Sequence, residues 1–73
     1  MIDIPADLSH LVRWARGNGI KYVVVSYEEG VGWQGSMFRG DESVQFKDAT
    51  EAGLIVGLYR LCLKKFFNRP DIF

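Results

Sequence analysis

The chain has 73 residues, nearly half of them apolar, among them five Phe, three Tyr and two Trp, and its nine acids balance nine bases. A chain this short builds one domain, 1–73, and its apolar content supports a core without disulfide or metal staples. The balanced charge removes any whole-molecule attraction to a polyanion, so nucleic-acid binding would have to rest on a local basic patch.

The single cysteine, Cys62, lies in an apolar run, has no partner for an internal disulfide and fits a reducing compartment as a small buried hydrophobe. No stretch approaches the ~18 apolar residues of a membrane span, and "MIDIPADLSH" lacks the basic and apolar regions of a signal peptide. The expected location is the cytoplasm.

The first element is a short helix. Pro5 suits its first position and Asp7 puts negative charge in its first turn, while Leu8, Leu11, Val12 and Ala15 recur with the spacing of one buried face. Gly17-Asn18-Gly19 stops it, because glycine enters the left-handed region without steric cost. His10, Arg13, Trp14 and Arg16 fall mostly off the buried face. Trp14, flanked by two arginines, reads either as a contact residue or as a ring lapping over the core edge.

"IKYVVVSYEE" is rich in Val and Tyr and reads as a strand. Val23, Val24 and Val25 make both of its faces apolar, which predicts a central strand covered on both sides or one face held for a partner. After a glycine-rich stretch comes a second strand, "WQGSMF". "RGDE" is a hairpin turn in which Arg39-Gly40-Asp41 carries no adhesion meaning, and "SVQFK" alternates as a strand with one wet face.

The last helix is predicted from Ala49 to about Phe67. Asp48 and Glu51 have the spacing of a capping box, and Lys64, Lys65 and Arg69 gather where cations complement the helix dipole. Ala52, Ile55, Tyr59, Cys62 and Phe66 form one stripe and Leu54, Leu58 and Leu61 a second. Gly53 and Gly57 leave a bare groove that fits close packing on the sheet. Pro70 prevents further helix in the tail "FFNRPDIF". The order helix-strand-strand-strand-helix is α+β, a three-stranded antiparallel sheet with two helices on one face or one on each.

Gly30-Val31-Gly32-Trp33-Gln34-Gly35 spells G-x-G-x-x-G, but a dinucleotide fingerprint must open a helix on whose N-terminus the pyrophosphate sits. Here a strand follows, so the glycines serve a bend between strands. One His and one Cys on different helices carry no zinc spacing or nucleophilic pair, and Glu28, Glu29, Asp41 and Glu42 read as a solvated acidic rim. The reading is a non-catalytic protein without cofactor or metal.

The element order resembles that of the double-stranded-RNA-binding domain. That family holds phosphates with lysines at the start of its last helix, where this chain has Asp48-Ala49-Thr50-Glu51, so the resemblance implies a shared fold and not a shared function. Residues 22–63 resemble the β-β-β-α modules of small phage proteins and HicB-type antitoxins, through Tyr22, Gly32-Trp33 and Thr50-Glu51-Ala52. The antitoxins' Pro-x-Leu-Pro-Gly element is absent, and the first helix is additional to their pattern.

A small neutral domain with aromatic anchors is similar to the stand-alone inhibitors that phages direct at host machines. This resemblance implies docking on a host protein complex, RNA polymerase or a CRISPR-type complex, and inhibition by occlusion, with no membrane partner. The expected contact residues are Trp14, Arg13, Arg16, Trp33, Arg39, Glu28 and Glu29. The alternative is a small RNA- or DNA-binding module using Arg60, Lys64, Lys65 and Arg69, with Arg13 and Arg16 of the first helix. The sequence leaves the oligomeric state open, monomer or dimer.

Overall fold

The fold follows from a computed structural model that describes residues 5–68. Helix α1 (Leu8–Gly17) leads into strands β1 (Tyr22–Glu28), β2 (Gly32–Arg39) and β3 (Glu42–Asp48), and helix α2 (Glu51–Phe66) follows. The strands form one antiparallel sheet in the order β1-β2-β3, an α+β arrangement as the sequence predicts.

Local chemistry sets each boundary. Asp7 is the N-cap of α1, its carboxylate accepting the His10 amide at 2.9 Å. The helix therefore starts at Leu8, later than Pro5, because an aspartate at the cap satisfies an orphan amide that a proline start leaves open. At the other end Gly19 takes φ +78° and the Ile20 amide donates to the Ala15 carbonyl at 3.0 Å. This is the six-residue closure of a Schellman motif, and it drops Ile20 into the core beside Ala15.

Two hairpins join the strands. Val31 N–H donates to Glu28 O at 3.0 Å with Gly30 third in the turn at φ +85°, the conformation a type II turn requires there. Gly40-Asp41 is a two-residue connection with glycine at φ +62° in its first position. The G-x-G-x-x-G spacing thus belongs to a turn and a strand, and no helix opens from it.

The cap of α2 differs from the predicted capping box. Thr50 is the N-cap and its hydroxyl accepts the Gly53 amide at 3.0 Å. Asp48, still paired with Trp33 at the end of β3, instead accepts the Thr50 amide and hydroxyl, both at 2.9 Å. Asp48 is too far upstream to cap once β3 holds it, so it braces the residue that does.

These hydrogen bonds, the backbone one first, hold the Asp48 carboxyl below its ordinary 3.8. A carboxyl depressed by folding stabilises the protein above its unfolded pKa, and that contribution disappears as pH falls through the folded value. Wild-type melting temperature should therefore drop more steeply than that of Asp48→Asn as pH falls from about 4 to about 2, although Asp7, depressed in the same way by His10, still titrates in both. Parallel curves in a calorimetric pH series would remove Asp48 from the acid response.

Packing uses one side of the sheet. Leu11 and Ala15 of α1 join Met37 and Val44 of the sheet and Leu54, Ile55, Leu58, Tyr59, Cys62 and Leu63 of α2 in a single cluster. Leu11, Met37, Leu54 and Leu58 are fully buried, each contributing about 1.5–3 kcal/mol relative to exposure. Of the two predicted stripes on α2, both point inward, except that Ala52 is exposed and Leu61 and Phe66 are half-buried. The predicted glycine groove is filled: the Phe46 ring rests on Gly57, and the Asp48 carboxylate sits over Gly53.

One expectation is corrected. The triple valine does not mark a central strand; β1 is an edge, and β2, with Gly35 and Met37 buried, is central. Short hairpin loops force neighbouring strands to pair in order, and this outweighs hydrophobicity in deciding which strand lies in the middle.

Candidate interaction surface

Because both helices lie on one side, the other side of the sheet has no element over it among the described residues. The register fixes what stands there, since directly opposed residues share a face. Tyr22, Val24 and Ser26 of β1 lie beside Phe38, Ser36 and Gln34 of β2, which lie beside Ser43, Gln45 and Lys47 of β3.

The face has an apolar end and a polar end, and its charges, Lys47 of β3 and Glu28 of β1 opposite Gly32, both stand at the polar end. Tyr22 is 65 % exposed and Val24 55 %. Tyr22 and Phe38 meet edge to face with centroids 6.4 Å apart. Between β2 and β3 a shallow hollow of about 370 Å³ is lined by Gln34, Gly35, Ser36, Gln45, Phe46 and Lys47. Exposed aromatic and aliphatic groups next to neutral hydrogen-bonding side chains have the composition of a protein contact patch.

Of the residues expected as contacts from the sequence, only Glu28, at the end of β1, shares this face. Trp14 is half-buried, its ring against Tyr59 at 4.8 Å and Phe67 at 6.1 Å. Arg39 closes the same corner: its guanidinium donates to the Phe66 carbonyl at 2.8 Å and lies over the Phe67 ring at 4.9 Å. It satisfies one of the carbonyls that a helix end leaves open.

Trp33 is at the opposite end of β2, about 20 Å away at the usual strand rise, half-buried against the core and tilted against Tyr27 at 5.1 Å. Both indoles complete the core margin. Glu28 and Glu29 are exposed at the adjoining turn. Arg13 and Arg16 are exposed on α1, where with Leu8, Ser9 and Val12 they line a hollow of about 440 Å³.

Apart from Arg13 and Arg16 on α1, the basic residues of the nucleic-acid reading that the structure describes lie on α2, away from this face. Arg60 and Lys64 are exposed on α2, Lys65 donates to the Ser43 carbonyl of β3 at 2.8 Å, and Arg69 lies outside the described residues. Tyr22, Val24 and Phe38 were missed as a group because alternation shows which residues of a strand share a face but not which face the helices take.

Chemistry elsewhere is sparse. Cys62 is fully buried, its thiol donates to the Met37 sulfur at 3.4 Å, and burial pushes its pKa up to about 12, so it stays protonated at neutral pH. His10 Nδ1 is 2.8 Å from the Asp7 carboxylate. Among the described residues no group of three or more His, Cys, Asp or Glu is placed to hold a metal, and no helix is long and apolar enough to cross a membrane. No protein-family model, curated protein or solved structure matches the chain.

Proposed function

We propose that the chain is a non-catalytic binding module that docks on a protein complex through its uncovered sheet face and blocks that complex by occlusion. The observation that carries this reading is the face itself: Tyr22, Val24 and Phe38 stand together beside a neutral Ser/Gln field, on a sheet whose other side is occupied by the core. A row of amides, hydroxyls and aromatic rings suits a protein surface better than a phosphate backbone, which rewards clustered cations. The resemblance to small phage modules makes a multisubunit host complex the target to try first.

The buried thiol and the carboxylate-bound histidine support a role without covalent chemistry. In this reading the arginines of α1 and the acids of the β1-β2 turn steer the encounter, and the neutral face supplies the contact area.

The test is capture of a partner from host lysate by the wild type, compared with Ser36→Arg and Tyr22→Ala. Both side chains face away from the core, so the variants should keep the wild-type circular dichroism. Ser36→Arg puts a long cation at the centre of the face, and Tyr22→Ala removes its most exposed ring; each should weaken binding about thirtyfold, the loss of a hot-spot contact. Retention of the same partner by both variants refutes the assignment. Capture that is abolished by nuclease, falls steeply with salt and depends on Arg60 and Lys64 would establish the nucleic-acid reading instead.

A further inference from the structure

The two edges of the sheet are unlike. On β3, Glu42, Lys47 and Asp48 place charges along the strand, and Lys65 reaches from α2 to the Ser43 carbonyl. These are the features by which an edge strand is protected from further pairing. On β1 the one charge is Glu28 at its end, and no side chain is seen to reach across to its outer backbone as Lys65 does on β3. Six uncharged residues, Tyr22 to Tyr27, run without proline, glycine or bulge, each paired one to one with β2 on the inner side. Tyr27 at its far end is 58 % exposed. Among the described residues, no strand lies beyond the backbone donors and acceptors on the outer side of this strand.

The edge is also complementary to itself. In an antiparallel pair of two copies, opposed residues must share a face, so the sum of their numbers is even and the choice is among a few registers. Setting Val25 opposite Val25 places Val24 against Ser26, Val23 against Tyr27, Tyr22 against Glu28 and Lys21 against Glu29. The only cation beside the strand then meets an acid at both ends of the seam. Moving the pairing by two residues in one direction sets Glu28 opposite the buried Ile20. In the other direction Val23 and Val24 face Glu29 and Glu28. Both alternatives oppose acids to aliphatic side chains, and the Val25-centred register avoids this.

We infer that β1 pairs with β1 of a second copy in the Val25-centred register, giving a two-fold dimer with a continuous six-stranded sheet. The dimer joins two copies of the uncovered face side by side, so a partner bound there would be held bivalently. This inference does not depend on the binding role. The seam uses the backbone of β1 with Lys21 and Glu29; of the two face variants Tyr22→Ala touches it, whereas Ser36→Arg lies on the central strand and tests the face alone.

The experiment is sedimentation velocity of the purified chain up to about 100 µM, with hydrogen exchange of residues 22–28 followed over the same range. Twice the chain mass and β1 amides that gain protection with concentration are expected. Glu29→Lys turns both end pairs into lysine facing lysine and should weaken the dimer about tenfold, as should Lys21→Glu. The double variant Lys21→Glu/Glu29→Lys should restore it, because both pairs are again opposite in charge. Lys21 and Glu29 are exposed and flank β1 on either side, so the single variants keep the monomer fold. A monomer at every concentration overturns the inference, whether the edge is then free or taken by a strand of another protein. A dimer indifferent to both single variants overturns the register and with it the seam.

Discussion

Leu58→Ala should lower the free energy of unfolding by about 2–5 kcal/mol, the range for truncating a buried leucine. For a chain of this length the total is on the order of 4–11 kcal/mol, so the variant should be marginal at ambient temperature. Leu58 is fully buried, and its Cδ1 lies 2.6 Å from where a side-chain carbon on Gly35 would begin. The leucine thus occupies the hollow that a glycine leaves in the central strand. Gly35→Ala alone should cost about 1–3 kcal/mol by overpacking that contact. In the Leu58→Ala background the same methyl has room, so the double variant should be more stable than the sum of the single losses by about 1 kcal/mol or more. Urea denaturation of the four proteins measures this. Strict additivity would mean that Leu58 and Gly35 do not share the space.

The order and type of the elements were legible in the sequence because each is encoded locally. The strand of "SVQFK" alternates, the turns around "WQGSMF" carry their glycines, and the last helix has an unbroken apolar pattern. Boundaries were less legible where two residues compete for one task. Asp48 and Thr50 both have capping chemistry, and only the pairing of Asp48 with Trp33 across the sheet decides that Thr50 takes the amide. Of the two readings of β1, a central strand or a strand with one face left for a partner, the first fails for a related reason: three consecutive valines report an apolar strand, but strand order is a property of loop length. The surface was the least legible part. Trp14 and Trp33 stand out by type, yet each found a ring neighbour at the core margin, and Arg39 found the end of α2. Those contacts join residues distant in sequence. The glycines of β2 and α2 had no visible reason until Leu58 and Phe46 lay across from them.

Gly57→Ala should destabilise the protein although it improves the intrinsic helix propensity of α2. Propensity alone favours alanine by about 0.8–1.0 kcal/mol in a helix interior. Against this, a methyl at Gly57 would enter the ring of Phe46, which lies against the bare helix backbone and whose own backbone is held by pairing with Gly35. An aromatic ring on a paired strand cannot swing aside as a flexible side-chain end can, so α2 must lift from β3. That strain costs about 1–3 kcal/mol, enough to reverse the propensity gain. Gly17, in the last turn of α1, has nothing within 4 Å of a would-be methyl and no positive φ. There the same exchange should stabilise the protein by up to about 1 kcal/mol, through the smaller entropy of the unfolded chain. Thermal unfolding of the two variants should therefore shift in opposite directions. If Gly57→Ala rises with Gly17→Ala, the Phe46 ring does not seat on the helix, and the contact between α2 and β3 must be carried by Val44 instead.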